Sequence, residues 1–406
     1  MGVLMKKTQL ISAILTVLML GEMFSVSSLC SARMTRNQKK EVIYINLADD
    51  FIKEKQYDNA IQCYNKGIEL NPNSSEAYSK RGNVRYLQEK YEDAISDYTK
   101  ALEITPDKSN LYYNRGLART KLKEYDEVIE DFTKELEINS ENTNAYLNRG
   151  MTEILLKKYD AAIEDFTKLI SIDSENEMAY YNRAIAKRNQ GDYQGAIEDY
   201  NVVLDLNPSN IDAYINRGGA LYYLKDYKSA IKDYSKVIET QKASKKSYFN
   251  RGLAYFGAEK YEEAIEDFTK VITLSPKNDS AYYNRGLAEE KLNNNVSALD
   301  DYTKAIELKP EEAIYYYNRG SLISRSGGDL EKAVTDLNTA IKLDGSDSEK
   351  YLTRAIIFCK QKNYLIALDD LNIAIKLNPE NSTAKELRSY AIKSLAGVDN
   401  QIKGNK

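Results

Sequence analysis

The 406-residue chain has no histidine and no tryptophan, and only six prolines and three cysteines. Without an imidazole, Ser-His-Asp and Cys-His nucleophile systems, a histidine general base and His-ligated zinc or haem are all excluded. Three cysteines cannot complete a Cys-only zinc site. An excess of either charge is also missing: 57 Lys+Arg against 61 Asp+Glu give a formal net charge of −4, not the basic footprint of a nucleic-acid binder. No Gly-rich phosphate loop, Gly-x-Ser-x-Gly elbow or metal-ligand spacing occurs. Adjacent carboxylates such as Asp300-Asp301 and Asp369-Asp370 point to different helix faces. The expectation is therefore a non-catalytic protein with no cofactor and no metal. Hydrophobic content of 42% still suffices for a packed core.

Long apolar runs are scarce as well. The longest near the N-terminus, Leu10 to Leu20, stops at Gly21 and Glu22, short of the about 20 residues that span a bilayer. Lys6 and Lys7 precede it and small residues ending in Cys30-Ser31-Ala32 follow, the order of a signal peptide. Residues 1–32 are read as that signal, with cleavage after Ala32, and 33–40 as a linker. Cys30 follows Leu29, a weak match to a lipoprotein site. The expected location is extracytoplasmic, in a bacterial periplasm or secreted; the alternative is anchoring through the uncleaved N-terminal segment, the only membrane contact expected.

What the sequence does have is one unit written ten times. A Tyr-Asn-Arg-Gly string recurs with small variations, placing Arg81, Arg115, Arg149, Arg183, Arg217, Arg251, Arg285 and Arg319 at a spacing of 34 residues. Such a period signals a helical solenoid. Arg354 follows after 35 because Gly327-Gly328 lengthen one turn. The frame tiles 41–74, 75–108, 109–142, 143–176, 177–210, 211–244, 245–278, 279–312, 313–347 and 348–381. Counting positions from the start of each unit, position 4 is always Tyr, from Tyr44 and Tyr78 to Tyr351, and position 8 is always small, as in Gly82, Gly116 and Ala184. Position 20 is Ala in nine units and Val128 in the other, with an aromatic or Leu at position 24, such as Phe132, Tyr200 and Leu371. All six prolines, Pro72, Pro106, Pro208, Pro276, Pro310 and Pro379, stand at position 32, where proline stops a helix.

On these residues the chain resembles the tetratricopeptide repeat family, in an Asn-Arg-Gly variant: Tyr-x-x-x-Gly at positions 4 to 8, Tyr at 17, Ala at 20, Phe or Tyr at 24 and Pro at 32. Departures are Tyr for Trp at position 4, Arg for Leu at position 7, and Asn295 and Leu330 at position 17. The resemblance implies an all-α, right-handed superhelical solenoid of antiparallel helix pairs, ten repeats over 41–381. Residues 382–396 are expected to form a capping helix, with Ala384, Leu387, Ala391 and Leu395 at helical spacing, and 397–406 a flexible tail.

Arginine at position 7 replaces a residue that the family buries, and an aspartate stands sixteen residues on. The expected structural ion pairs are Arg115 with Asp131, Arg149 with Asp165, Arg183 with Asp199, Arg217 with Asp233, Arg251 with Asp267 and Arg285 with Asp301, together with Arg81–Asp97, Arg354–Asp370 and, at seventeen, Arg319–Asp336. The first unit has Leu47 and Cys63, lacking both members. A cationic ladder for an acidic ligand is the alternative, weakened by the ready partner.

The family's first helices line a concave groove. Position 6 there is Asn in eight units, including Asn114, Asn148, Asn182, Asn216, Asn250, Asn284 and Asn318. A ladder of amides would donate to and accept from an extended peptide backbone, as in the repeat domain of O-linked GlcNAc transferase; packing against the local helix is an equally open reading. Position 5 beside it is largely apolar, with Tyr113, Tyr181, Phe249, Tyr283 and Tyr317, and position 9 continues it with Leu117, Met151, Ile185, Leu253, Leu287 and Ile356. An exposed apolar strip beside amides fits a binding groove; burial between adjacent first helices is the alternative. No unit has Lys at position 5, which disfavours a carboxylate clamp for chaperone C-termini. The expected function is a scaffold that binds protein or extended peptide segments in an exported or membrane-associated assembly, with no nucleic acid. A self-associating structural array or a regulatory subunit of a separate enzyme are the alternatives. Cys63 and Cys359 stand too far apart in an elongated array for a mutual disulfide, which leaves an intermolecular bridge open.

Overall fold

The computed structural model describes residues 35–240 and 244–404, with side chains as far as 396. The expected signal, residues 1–32, lies outside the described residues. Among the described residues every regular element is a helix. They divide after Ser174 into two compact units.

The first unit holds α1 (Arg36–Lys53), α2 (Tyr57–Leu70), α3 (Ser75–Leu87), α4 (Tyr91–Ile104), α5 (Ser109–Leu122), α6 (Tyr125–Ile138), α7 (Thr143–Leu155) and α8 (Tyr159–Ile172). The second holds α9 (Glu177–Gln190), α10 (Tyr193–Leu206), α11 (Ile211–Tyr223), α12 (Tyr227–Ile238), α13 (Lys245–Gly257), α14 (Tyr261–Leu274), α15 (Asp279–Lys291), α16 (Asn295–Leu308), α17 (Ala313–Arg325), α18 (Leu330–Leu343), α19 (Ser348–Lys360), α20 (Tyr364–Leu377) and α21 (Ser382–Gly404). Within each unit every helix packs on the one before and the one after it, so each unit is a helical-repeat solenoid.

The chain breaks where the local chemistry dictates. The residue at position 34 caps the next first helix, as when Asn142, Asn176, Asn210 and Asn278 accept from the backbone amide three residues on. The turn between the two helices of a repeat needs a left-handed residue at position 15: Gly191 and Gly327 supply it without strain, while Lys55, Glu89, Lys123, Lys157, Lys225, Glu259, Asn293 and Lys362 adopt φ near 60° despite their Cβ atoms.

The small residue at position 8 packs on the ring at position 24 of the same repeat. A Cβ built on Gly116 would stand 3.0 Å from Phe132, on Gly150 2.7 Å from Phe166, and on Gly252 2.9 Å from Phe268. Those rings are themselves fully buried, and with the position-20 alanines they form the cores of their units.

Two boundaries differ from the sequence reading. The stretch expected as a linker already contains helix, because Thr35 and Gln38 form a capping box that starts α1 at Arg36. At the other end α21 continues to Gly404, past residue 396, and its Ala384, Ala391 and Leu387 pack on the core of the last repeat.

Candidate functional site

Position 7 places an arginine between the two helices of every repeat after the first, which has Leu47. In the first unit Arg81, Arg115 and Arg149 reach Asp97, Asp131 and Asp165 at 2.6 to 2.7 Å, each through Nη2 to Oδ1, with Nε donating to the carboxylate as well. In the second unit the same bidentate geometry joins Arg183 to Asp199, Arg217 to Asp233, Arg251 to Asp267, Arg285 to Asp301, Arg319 to Asp336 and Arg354 to Asp370. The aspartates are buried, so each pair is a charge-assisted fork shielded from water.

Two further contacts complete the setting. Nη1 of the arginine donates to position 25 of the preceding repeat: Asn65, Thr99 and Thr133 receive Arg81, Arg115 and Arg149, and Asn201, Ser235, Thr269, Thr303 and Asn338 receive Arg217, Arg251, Arg285, Arg319 and Arg354. Each of those guanidiniums also lies over the position-4 tyrosine ring of its own helix, 5.4 Å away for Arg81 and 6.0 Å for Arg319. With one guanidinium tying three helices, the arginines are occupied structurally and form no open cationic ladder. Position 25 was unremarked in the sequence, although it is Asn, Ser or Thr in each of these repeats.

Position 11 was also overlooked. Arg85, Arg119 and Lys187 stand there and give Asp97, Asp131 and Asp199 a second cation at 2.8 to 2.9 Å. In the fourth repeat the position holds Glu153 instead, buried, with Oε2 lacking any hydrogen-bond partner. Burial pushes its carboxyl up to about 7, the neighbouring Asp165 charge adding to the effect and Arg149 opposing it. Burial lifts Asp165 too, against the pull of Arg149.

The position-6 asparagines from Asn114 to Asn318 are half-buried on the first helices, while Asn46 is exposed. Asn148, Asn182, Asn284 and Asn318 donate to the carbonyl four residues back in their own helix, at 2.7 to 3.1 Å. Within each unit they also reach the preceding repeat: Asn114 donates to Asn83 at 3.2 Å, and Asn148, Asn216 and Asn318 to the hydroxyls of Tyr113, Tyr181 and Tyr283. Asn250 stands at the same half-buried register on α13. Each of these side chains therefore packs locally while keeping a partly exposed edge.

Position 5 departs from the exposed strip expected of it. Tyr113, Tyr181, Phe249 and Tyr283 set their rings against Phe132, Tyr200, Phe268 and Tyr302 of the second helix, at 5.6 to 6.0 Å between centroids. Tyr317 packs on the core around Leu337, and Leu352 is buried. A side chain at position 5 points partly inward, toward the ring at position 24, and so contributes only an edge to the surface. Of the position-9 residues, Met151 is exposed while Leu117, Ile185, Leu253, Leu287 and Ile356 are half-buried.

In the first unit two adjoining cavities share Asn83. One, of about 310 Å³, is lined by Tyr86, Leu87, Tyr98, Asn114 and Leu117, and Tyr98 donates to Asn83 at 2.8 Å. The other, of about 570 Å³, is polar, bounded by Glu76, Lys80, Asp107, Lys108 and Asn110. Lys80, which replaces the asparagine at position 6, donates to Asp49 at 2.7 Å. An amide wall, an apolar floor and charged ends suit backbone hydrogen bonding with side-chain pockets.

Among the described residues no cluster of Cys, Asp and Glu is arranged to hold a metal ion, and no helix is long and apolar enough to cross a membrane. Cys63 and Cys359 are buried and free, and burial pushes both thiols up.

A family model described as TPR repeat matches residues 48–88, 82–123 and 186–224. Models described as tetratricopeptide repeat match 246–278 and 280–312, and 109–142, 143–176, 211–244 and 313–347. No curated protein matches the chain. Among solved structures, a tetratricopeptide repeat protein from Parabacteroides merdae is 21% identical over 62% of this chain and 99% of that one, with a TM-score of 0.44. MamA from Desulfovibrio magneticus is 26% identical over 41% of this chain and 95% of that one, with a TM-score of 0.40. Yeast Tom70 is 17% identical over 90% of this chain and 97% of that one, with a TM-score of 0.41.

Proposed function

Because the chain belongs to the tetratricopeptide repeat family, whose members are typically non-catalytic interaction scaffolds, we propose that it binds extended segments of partner proteins along its concave first-helix faces. The assembly it organises is exported or membrane-associated, a reading supported by the signal-like order of residues 1–32. The observation that carries the binding reading is the row of half-buried amides. Their Nδ2 groups are fixed by helix carbonyls and tyrosine hydroxyls, so their outer edges are held at a regular spacing for a peptide backbone.

The test is retention of a partner by the native chain compared with an Asn182→Ala, Asn216→Ala, Asn250→Ala variant of unchanged helicity. Loss of the partner in the variant supports the groove. Equal retention, or self-association equal in both, would favour the structural-array alternative, in which copies meet through exposed side chains such as Tyr390 and Ile392 of α21.

A further inference from the structure

Five repeats carry Tyr at position 24 with its hydroxyl toward the first helices. Three of these hydroxyls are met by a dedicated acceptor: Tyr64 donates to Asp49, Tyr98 to Asn83 and Tyr302 to Glu290, at 2.7 to 2.8 Å. Those acceptors stand at position 9 or 12. In the fifth repeat position 9 is Ile185 and position 12 is Arg188, so the acceptor is replaced by a cation. Tyr200 there is completely buried, and its hydroxyl has no hydrogen-bond partner. A buried, unmet hydroxyl in a native fold calls for an explanation.

Arg188, Asn216 and Tyr181 meet beside it. Arg188 makes no ion pair among the described residues; its Nη1 donates to Asn216 Oδ1 at 2.7 Å. Asn216 Nδ2 in turn donates to the Tyr181 hydroxyl at 2.9 Å, which leaves the Tyr181 O–H free to point outward. Both ends of the Asn216 amide are thus engaged, and the donors left over are the guanidinium and two phenolic O–H groups. Burial raises both Tyr181 and Tyr200, the Asp212 carboxylate adding to the rise at Tyr181, while the Arg188 charge opposes it at each. Asp199, which also acts on Tyr200, is already held by Arg183 and Lys187. Nearby on the same unit Tyr223, 65% exposed, stacks on Tyr193 at 4.8 Å between centroids, a rigid aromatic ledge.

We propose that this part of the second unit, formed by α9, α10 and α11, is a subsite for an Asp or Glu side chain of an extended partner peptide, the carboxylate accepting from Arg188, Tyr200 and Tyr181. The assignment rests on the groove reading and specifies the chemistry of what the groove takes. A carboxylate brings both the missing acceptor and the missing counter-charge, which a neutral segment does not.

The experiment is fluorescence anisotropy on the full chain with a short fluorescein-labelled peptide alternating Leu and Glu, and with its Gln-for-Glu counterpart. The Glu peptide is expected to bind about tenfold more tightly or better, and to weaken as salt is raised. Arg188→Gln and Tyr200→Phe are each expected to lose about tenfold for the Glu peptide only. Tyr200→Phe removes a hydroxyl that has no internal partner, so its Tm should not fall, and the loss cannot be blamed on unfolding. Equal binding of the two peptides, no binding of either, or variants that bind the Glu peptide as the native chain does would each overturn the subsite. An Asn182→Ala, Asn250→Ala variant separates the two levels. If both peptides bind alike and both are lost in it, acid recognition falls while the groove stands. If neither it nor Arg188→Gln disturbs binding, the groove falls too.

Discussion

Replacing Asp233 by alanine removes the partner of a guanidinium that the fold cannot release to solvent. Arg217 donates to both oxygens of Asp233 at 2.7 and 2.8 Å, to Asn201 at 2.7 Å, and lies 5.5 Å from the centre of the Tyr214 ring. The aspartate side chain is 4% exposed and the arginine 20%. Breaking such a pair on one side costs about 3 to 5 kcal/mol; the arginine's exposed edge admits some water, which points to the lower end, about 3 kcal/mol. The first repeat shows the alternative solution, with Leu47 and Cys63 at the same two positions and Cys63 packed in the core. An Arg217→Leu, Asp233→Cys chain should therefore lie within about 1 kcal/mol of the native one. Urea unfolding followed by circular dichroism on the native chain, both single variants and the double variant closes the cycle, provided the slopes agree. A loss below about 1 kcal/mol for Asp233→Ala, or a double variant as unstable as the sum of the singles, would refute the structural role of the pair.

Other perturbations have defined signs. Glu153 has a folded carboxyl raised to about 7 above its unfolded value, so the folded state binds the extra proton; that contribution is complete below about pH 4.5 and is lost as pH rises through 7. Glu153→Gln should flatten this dependence and raise Tm above pH 7, measured by thermal melts at both ends of the window. Gly150→Ala puts a Cβ 2.7 Å from Phe166 and should destabilise by about 1 to 3 kcal/mol despite alanine's better helix propensity, with urea unfolding as the check and Phe166→Leu as the rescue. Lys123→Gly relieves a left-handed residue, φ 62°, and should stabilise by roughly 0.5 kcal/mol after the unfolded chain's added freedom is counted.

The period, helix pairing and small-residue contacts were legible because each depends on a residue type fixed at a fixed position: only a small side chain at position 8 admits the position-24 ring. The Arg–Asp fork could be sought in the sequence because both partners recur together. The depth of position 5 could not be read from spacing, since an aromatic ring on the same helix serves equally as groove wall or as packing against the second helix. Tyr181 and Tyr283 do the latter while offering an edge outward. The exceptions were visible in the string but meaningless without distances. Glu153 gains importance only beside Asp165, and Arg188 only where Tyr200 lacks an acceptor. The Thr35–Gln38 box, like the position-34 asparagine caps, was readable and went unused, and it starts the first helix early.

The central claim, that partner polypeptide lies along the concave amides, is tested most directly by site-specific photo-crosslinking in cells. A benzoylphenylalanine would be placed singly at 182, 216 or 250, and as a comparison at 198 or 266, where Glu198 and Glu266 are exposed on second helices. Crosslinks to a second polypeptide from the first set and none from the comparison set are the predicted result. Crosslinks from the comparison positions with none from 182, 216 and 250 would contradict it.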